Sequence, residues 1–553
     1  MNHLCSACGG RLNQSGECPR CHTPQEQSFG WLPALAITMA IIATTAAGAL
    51  WLSKQIGNPL QYLRSHRSSV PYEVTLASKD LPVARGPKKT ITLKQIGEMR
   101  SYFETQEFEA LTTLLEDIQT GFESGSMTEY HVHDAFSVFE IPLPHYEPLM
   151  DVWKQRFPES FVPYLASAHY YYARGWDCRG HNFARDTTDE QFRRMRSFFE
   201  KATADAEKAL DIHHALLPAH ILLLCIANTN GDSQSEDVIL ADALDLFPNS
   251  YLVRATYMWA IEPRWGGNYK MMESFAKRAE AYAENTPELT TLYGLIYYDQ
   301  GRKMVQAENY QKAAQLFTKS ISYGDHWVFY YERAKVYHFY LEDPDRALKD
   351  IEQSILIRPT RAESYRLRSR ILYRAQDMQN ALKDILAAEL VKPNDSKNRK
   401  WRQWAGNDLM NQGHHVFKED LVQSIGKYDL SLRFNPENAK AYYWRGVAYY
   451  RKKQFKPALE DLKKSIKHNP RHFDSYLMID HVLLETKQWD TIISYWNRFI
   501  ELEPENDRAY LERAGTFYHK KDYENSLNDL QCACDLGNAE ACERYQKYKD
   551  TWQ

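Results

Sequence analysis

Residues 439–470 read AKAYYWRGVAYYRKKQFKPALEDLKKSIKHNP. Tyr442, Gly446 and Tyr449 recur at the spacing of one helical face, and beyond a short polar turn Ala458, Leu462 and Ser465 mark the face of a second helix. The small residues Gly446, Ala458 and Ser465 let two antiparallel helices approach closely. Pro470, which lacks an N–H and clashes with the turn before it, closes the second helix. The unit recurs: Pro359, Pro393, Pro436, Pro470 and Pro504 lie 34, 43, 34 and 34 residues apart, and one more step of 34 lands on Asn538. A period in this range marks a solenoid, in which each unit buries its apolar face only against its neighbours.

The order bulky, small, bulky, small, small, proline at 34 residues resembles the tetratricopeptide repeat. Residues 362–393 match through Tyr365, Ser369, Leu372, Ala381, Ile385, Ala388 and Pro393. Residues 507–538 match through Tyr510, Ala514, Phe517, Ser526, Leu530, Ala533 and Asn538, and residues 327–359 through Tyr330, Ala334, Tyr337, Ala347, Ile351 and Ser354. Two copies are degenerate. Residues 473–504 carry Asp480 and Ile492 at small positions, and the copy over 401–436 holds nine extra residues (43 against 34), expected around 411–416. A weak further copy begins near Pro287 with Leu292, Gly294 and Tyr297. The resemblance implies an all-α, right-handed helical-hairpin solenoid over residues 286–553.

Four copies place an arginine just before the small residue of the first helix: Arg333, Arg368, Arg445 and Arg513. The same four place an aspartate late in the second: Asp350, Asp384, Asp461 and Asp529. Neither residue occurs in the degenerate copies. A bidentate guanidinium–carboxylate pair between the helices of each hairpin is expected, as a structural contact. In tetratricopeptide folds the first helices line the concave face. The resemblance therefore assigns Tyr331, Lys335, His338, Arg366, Arg370, Tyr373, Arg374, Tyr443, Val447 and Tyr450 to a basic and aromatic groove. An acidic or carboxylate-ended peptide is its natural protein partner.

A chain of 553 residues holds more than one domain, and 44% hydrophobic with 25% charged residues is ordinary for folded protein. A net charge of -4 gives no ground for a nucleic-acid binder. Residues 1–27 contain Cys5, Cys8, Cys18 and Cys21 as two C-x2-C knuckles, the spacing of a closed tetrahedral zinc site; two disulfides, or a redox or iron centre, are the alternatives. A segment this short cannot bury a core, so structural zinc would supply its folding free energy. The module resembles the zinc ribbons at the N-termini of many bacterial membrane proteins. Residues 31–52 carry no charge and are long enough for one transmembrane helix, with Trp31 and Trp51 at the interfaces.

Flanking basic residues barely orient this span. Thiolate zinc ligands favour a reducing cytosol. At the other end, Cys534 and Cys542 resemble the cysteine-rich solenoid repeats of bacterial secreted proteins, in which such a pair is bridged across a hairpin. Together these place the chain in a bacterial inner membrane, with the N-terminus cytoplasmic and the C-terminal helical region periplasmic.

Residues 53–90, with Pro59, Pro71, Pro82 and Pro87, read as a linker. Residues 91–285 show helical periodicity without a regular repeat. Their local signatures are Phe157-Pro-Glu-Ser160, Gly175-Trp-Asp-Cys-Arg-Gly180 and Glu262-Pro-Arg-Trp-Gly-Gly267. With the tyrosines at 170–172 they resemble a bacterial helical domain of unassigned function that often precedes tetratricopeptide repeats. Two readings of the tryptophan–arginine clusters stand. In one, Gly180 and Gly267 bend the chain, Trp176 and Trp265 fill the core, and Arg179 and Arg264 satisfy carbonyls or carboxylates. In the other, Trp176, Arg179, Arg264 and Trp265 line one anion pocket. His131 and His133 could share a metal on a strand but diverge on a helix. The chain holds no phosphate-binding loop, His-Glu-x-x-His or Gly-x-Ser-x-Gly. A membrane-anchored, non-enzymatic scaffold is expected, the alternative being a ligand-sensing or hydrolytic protein with its site in the middle domain.

Overall fold

The computed structural model describes residues 72–74, 81–180 and 186–550. The four N-terminal cysteines, the span over 31–52 and most of the linker lie outside the described residues. Among those described, every regular element is a helix. The described residues divide into two compact units, one running from 72 to 395 and the other from 396 to 550.

The first unit begins with α1 (Leu93–Glu104), α2 (Phe108–Glu123), α3 (Glu129–Ser137), α4 (Glu147–Arg156), α5 (Phe161–Arg179) and α6 (Asp189–Ile212). It continues with α7 (Leu217–Asn230), α8 (Ser233–Leu246), α9 (Tyr251–Ala260) and α10 (Tyr269–Ala279). Three hairpins follow: α11 (Thr291–Gln306) with α12 (Tyr310–Ser322), α13 (Trp327–Phe339) with α14 (Pro344–Ile357), and α15 (Ala362–Arg374) with α16 (Met378–Val391). One hydrophobic core runs from Ile91 to Ile371, straight through residues 285 and 286.

The second unit holds α17 (Ser396–Val416) with α18 (Leu421–Phe434), α19 (Ala439–Arg451) with α20 (Phe455–His468) and α21 (Phe473–Leu484) with α22 (Trp489–Leu502). It closes with α23 (Asp507–His519), α24 (Tyr523–Asp535) and α25 (Ala539–Tyr548).

The turn inside each hairpin has a local cause. In α19–α20, Lys453 N–H donates to the Tyr450 carbonyl at 2.8 Å and Gln454 N–H to the Tyr449 carbonyl at 2.9 Å. This winds Lys453 into the left-handed region at φ 59°. Glu308, Glu342, Gln376, Lys487 and Lys521 hold the same place with φ between 52° and 66°. The next residue caps the second helix: Asp343, Asp377 and Asp522 each accept from the backbone N–H three residues on. The same turn joins α1 to α2. Gln106 has φ 61°, and Glu107 N–H donates to the Tyr102 carbonyl at 2.8 Å. A repeat-type hairpin thus stands at the front of the middle region, where the sequence shows no regular period.

Three expectations about the repeats are refined. In the weak first copy, a Cβ on Gly301 would lie 2.6 Å from Phe317, the counterpart of Gly446 against Leu462 at 2.9 Å. Gly301 is therefore the counterpart of Gly446 between α11 and α12, whereas Gly294 lies against both the Ser320 carbonyl of α12 and Phe329 of the next hairpin. The extra residues of the 401–436 copy do not lie around 411–416. Gly413 packs on Tyr428 and Ser431 Oγ donates to the Gly406 carbonyl at 2.7 Å, so the added length sits at the front of the 21-residue helix α17. In the 473–504 copy, Asp480 replaces a small residue because its buried carboxylate accepts from the Trp496 indole N–H at 2.7 Å.

Candidate functional site

The four arginines each grip an aspartate with two hydrogen bonds. Arg333 reaches Asp350 at 2.7 and 2.8 Å, Arg368 reaches Asp384 at 2.7 and 2.8 Å, Arg445 reaches Asp461 at 2.7 and 2.7 Å, and Arg513 reaches Asp529 at 2.7 and 2.6 Å. Three have a further contact. Arg333 Nη1 donates to Thr318 at 2.8 Å, Arg445 Nη1 to Asp429 at 2.5 Å and Arg513 Nη1 to Asn497 at 2.6 Å. Each of these acceptors belongs to the preceding hairpin, so the arginine ties one hairpin to the next as well as its own two helices together.

The basic face of the first helices falls in two units, described separately. In the first unit, Lys335 Nζ bonds Glu332 at 2.8 Å and lies over the Tyr331 ring at 5.4 Å. Arg366 faces Asp395 at 3.5 Å, and the Arg370 and Arg374 guanidiniums lie over the Phe339 ring at 6.0 and 5.9 Å. Arg374 also donates to the His338 carbonyl at 3.4 Å. His338 and Tyr373 are buried. This face is therefore an alternation of rings and cations whose charge is partly met by the protein's own carboxylates. In the second unit, Tyr443 meets His472 and Tyr450 meets Phe455 edge-on or tilted, at 5.0 and 5.9 Å, and Val447 is buried.

A buried polar junction lies where the early helices meet the hairpin ends. Asp134 of α3 accepts from both arms of Arg358, which follows α14, and from the hydroxyls of Thr90 and Thr360 at 2.7 Å each. Burial alone would raise the Asp134 carboxyl, yet the Arg358 guanidinium, with His133, holds it well below the usual carboxylate range. His133 and His131 lie on a helix, and His131 Nδ1 turns back to Thr128 at 3.1 Å, so the two do not share a ligand. Among the described residues, no three His, Cys, Asp or Glu side chains are grouped to hold a metal. Sequence inspection missed this junction, because its members lie 224 residues apart in isolated polar positions.

Beside it opens a cavity of 630 Å³ between Val83, Lys88, Phe122, Phe247 and Glu288, with Glu129 in its wall. The Glu129 carboxylate accepts from Ser250 Oγ at 2.6 Å and from Leu252 N–H at 3.2 Å, at the start of α9. Glu129 is half-buried in this wall. Burial raises its pKa from 4.5 to about 7, against the lowering by these hydrogen bonds. A raised carboxyl favours the protonated folded state, so stability is full below the unfolded value and declines as pH rises towards 7. Glu129→Gln is expected to raise stability at pH 8 by at most about 3 kcal/mol and to leave it unchanged near pH 4. Thermal melting of the two chains at both pH values checks this.

The two tryptophan–arginine clusters have separate surroundings. Trp176 packs edge-on to Phe199 at 6.0 Å and Arg179 lies over Trp176 and Phe192, all on the α5–α6 pair. Gly175 permits that approach, since a Cβ there would stand 2.5 Å from Phe199. Gly180 ends α5 at φ 75°. Arg264 pairs with the buried Glu262 at 2.5 Å, and Gly267 lies against the Ile261 carbonyl, where a Cβ would come within 2.0 Å. Trp265 is 62% exposed and does not fill the core, because the turn into α10 points it outward under Arg264. At the C-terminus, Cys534 of α24 and Cys542 of α25 form a disulfide.

Helical hairpins of fixed turn, stacked on small residues and tied by arginines, define a helical-repeat protein. Residues 331–398 and 439–472 match the Tetratricopeptide repeat family, and the chain carries repeats of that type, which typically serve as non-enzymatic interaction scaffolds. Residues 95–234 match a Domain of unknown function (DUF4034), which covers the first two signatures of the middle region but not the third. Anaphase-promoting complex subunit 3 of Schizosaccharomyces pombe is 21% identical over 299 residues, covering 52% of this chain and 43% of its own length. The mitochondrial import receptor subunit TOM70 of Homo sapiens is 22% identical over 131 residues, covering 22% of each. The chain spans less than half the length of both curated relatives. Among solved structures, YrrB, a TPR protein with an unusual peptide-binding site, is 21% identical at a TM-score of 0.23, over 36% of this chain and 97% of that one. The C-terminal part of a TPR repeat-containing protein of Cytophaga hutchinsonii is 19% identical at a TM-score of 0.25, over 44% of this chain and 98% of that one.

Proposed function

We propose that this chain is a membrane-anchored scaffold whose repeats bind a protein partner, and that the face formed by α13 and α15 takes an acidic or carboxylate-ended peptide. The observation that carries this reading is the setting of Arg370 and Arg374 over one ring, Phe339, beside Lys335 and Arg366. Guanidiniums ordered on an aromatic face bind a carboxylate with little loss of side-chain freedom. Replacing Arg370 and Arg374 together by Glu is expected to weaken binding of an acidic peptide with a free C-terminus at least tenfold by fluorescence anisotropy. Equal binding by the double variant would reject the assignment.

Anchoring rests on the uncharged residues 31–52, and the module at Cys5, Cys8, Cys18 and Cys21 on structural zinc. The zinc content of the purified chain and its fractionation with membranes check both. The Cys534–Cys542 disulfide supports an oxidising, periplasmic side for the repeats, with the N-terminal thiolates in the cytosol of a bacterium. One observation favours a ligand-sensing role for the middle region beside this, the 630 Å³ cavity at Glu129.

A further inference from the structure

Residues 72–74 lie far from α10 and α11 in sequence but are held against them by a row of buried polar side chains. The Gln300 carboxamide clamps the backbone of one residue: Oε1 accepts from Tyr72 N–H at 2.7 Å and Nε2 donates to the Tyr72 carbonyl at 3.0 Å. Tyr297 OH accepts from Val74 N–H at 3.0 Å and meets the Glu73 carboxylate at 3.1 Å. Tyr72 OH donates to Glu273, and its ring lies 5.5 Å from that of Tyr269. Gln300 and Tyr297 are 5% and 1% exposed.

We infer that α10 and α11 form a second peptide site, separate from the α13–α15 face, which binds an extended segment bearing a tyrosine. The chain's own residues 72–74 fill it as an internal competitor. Three features point this way. The Gln300 and Tyr297 contacts to Tyr72 and Val74 are to backbone groups, which any extended segment presents. A carboxamide donates and accepts at once, so it satisfies both the N–H and the C=O of one residue and selects an extended backbone without reading its side chain. The side-chain selectivity sits in the Tyr269–Glu273 corner, which receives a phenol ring and its hydroxyl, and in the Tyr297 hydroxyl, which donates to the Glu73 carboxylate at 3.1 Å. The bound residues belong to no helix or strand of their own, so their displacement unwinds no regular element.

The test uses the full-length chain in detergent and a fluorescein-labelled peptide of residues 70–76, VPYEVTL. Val74→Pro removes the N–H that Tyr297 accepts and weakens the internal segment without altering the site. Labelled peptide is expected to bind the Val74→Pro chain at least tenfold more tightly than the unaltered chain. Adding Gln300→Ala is expected to cancel that gain. Methylating the tyrosine amide of the peptide removes the same hydrogen bond with no change to the protein, and the same loss is expected. Equal affinity for the unaltered and Val74→Pro chains, or full affinity of the methylated peptide, overturns the proposal. Because Arg370 and Arg374 take no part, failure here is distinct from failure of the acidic-peptide reading.

Discussion

Replacing Arg358 by alanine is expected to destabilise the first unit by about 3–5 kcal/mol. The side chains of Arg358 and Asp134 are 4% and 3% exposed, so removing the guanidinium strands a carboxylate away from water. The hydroxyls of Thr90 and Thr360 remain, but two neutral donors cannot replace a charge. The loss has a pH signature. In the unaltered chain the depressed Asp134 carboxyl contributes stability above the unfolded aspartate range, and this is lost as pH falls through the folded value. In the variant, burial without Arg358 raises the same carboxyl, so the deficit should be larger at pH 7 than at pH 4. Urea denaturation at both pH values measures it. The double variant Arg358→Met with Asp134→Leu should recover most of the loss, since an apolar pair of similar volume leaves no orphaned charge. Removing the exposed Lys94–Glu98 pair, with side chains 85% and 43% exposed, serves as a control expected to change stability by under about 0.5 kcal/mol.

The second large effect is expected at Arg445. Its side chain is 16% exposed and bridges the enclosed Asp461 of α20 and the half-exposed Asp429 of α18. Arg445→Ala should cost about 3 kcal/mol, most of it from the Asp461 carboxylate left enclosed without its guanidinium. Asp429→Ala should cost under about 1 kcal/mol, because solvent screens that pair. A double-mutant cycle between Arg445 and Asp461 should show coupling of about 1.5–3 kcal/mol. The shape of unfolding should change as well. A repeat array behaves as a line of units coupled to nearest neighbours. Cutting the tie between α17–α18 and α19–α20 should therefore broaden the urea transition or split it in two. A sharp single transition at unchanged slope would show that apolar packing alone couples these hairpins.

The repeat was legible from residues 439–470, because helical spacing, small residues and a closing proline are local properties that recur with each unit. The Arg–Asp pairs were legible for a related reason. Partners separated by one hairpin co-occur or vanish together, as in the degenerate 473–504 copy, where Asp480 and Trp496 make a different pair. The left-handed turn residue had no signature, since Gln106, Lys453 and Gln376 are ordinary polar residues placed there by backbone hydrogen bonds. The basic face was legible as composition only. Its partial neutralisation by Glu332 and Asp395 depended on side-chain directions that spacing does not supply.

The sequence by itself determined the hairpin, its period and the tie inside it, because those rest on contacts within about 20 residues. Only the tertiary structure decided that Arg358 meets Asp134, that Gln300 holds Tyr72 and that Gly301 phases the first repeat. Those contacts join residues on different elements, and their partners are chosen by how the early helices and the linker settle against the hairpin ends, which no local pattern encodes.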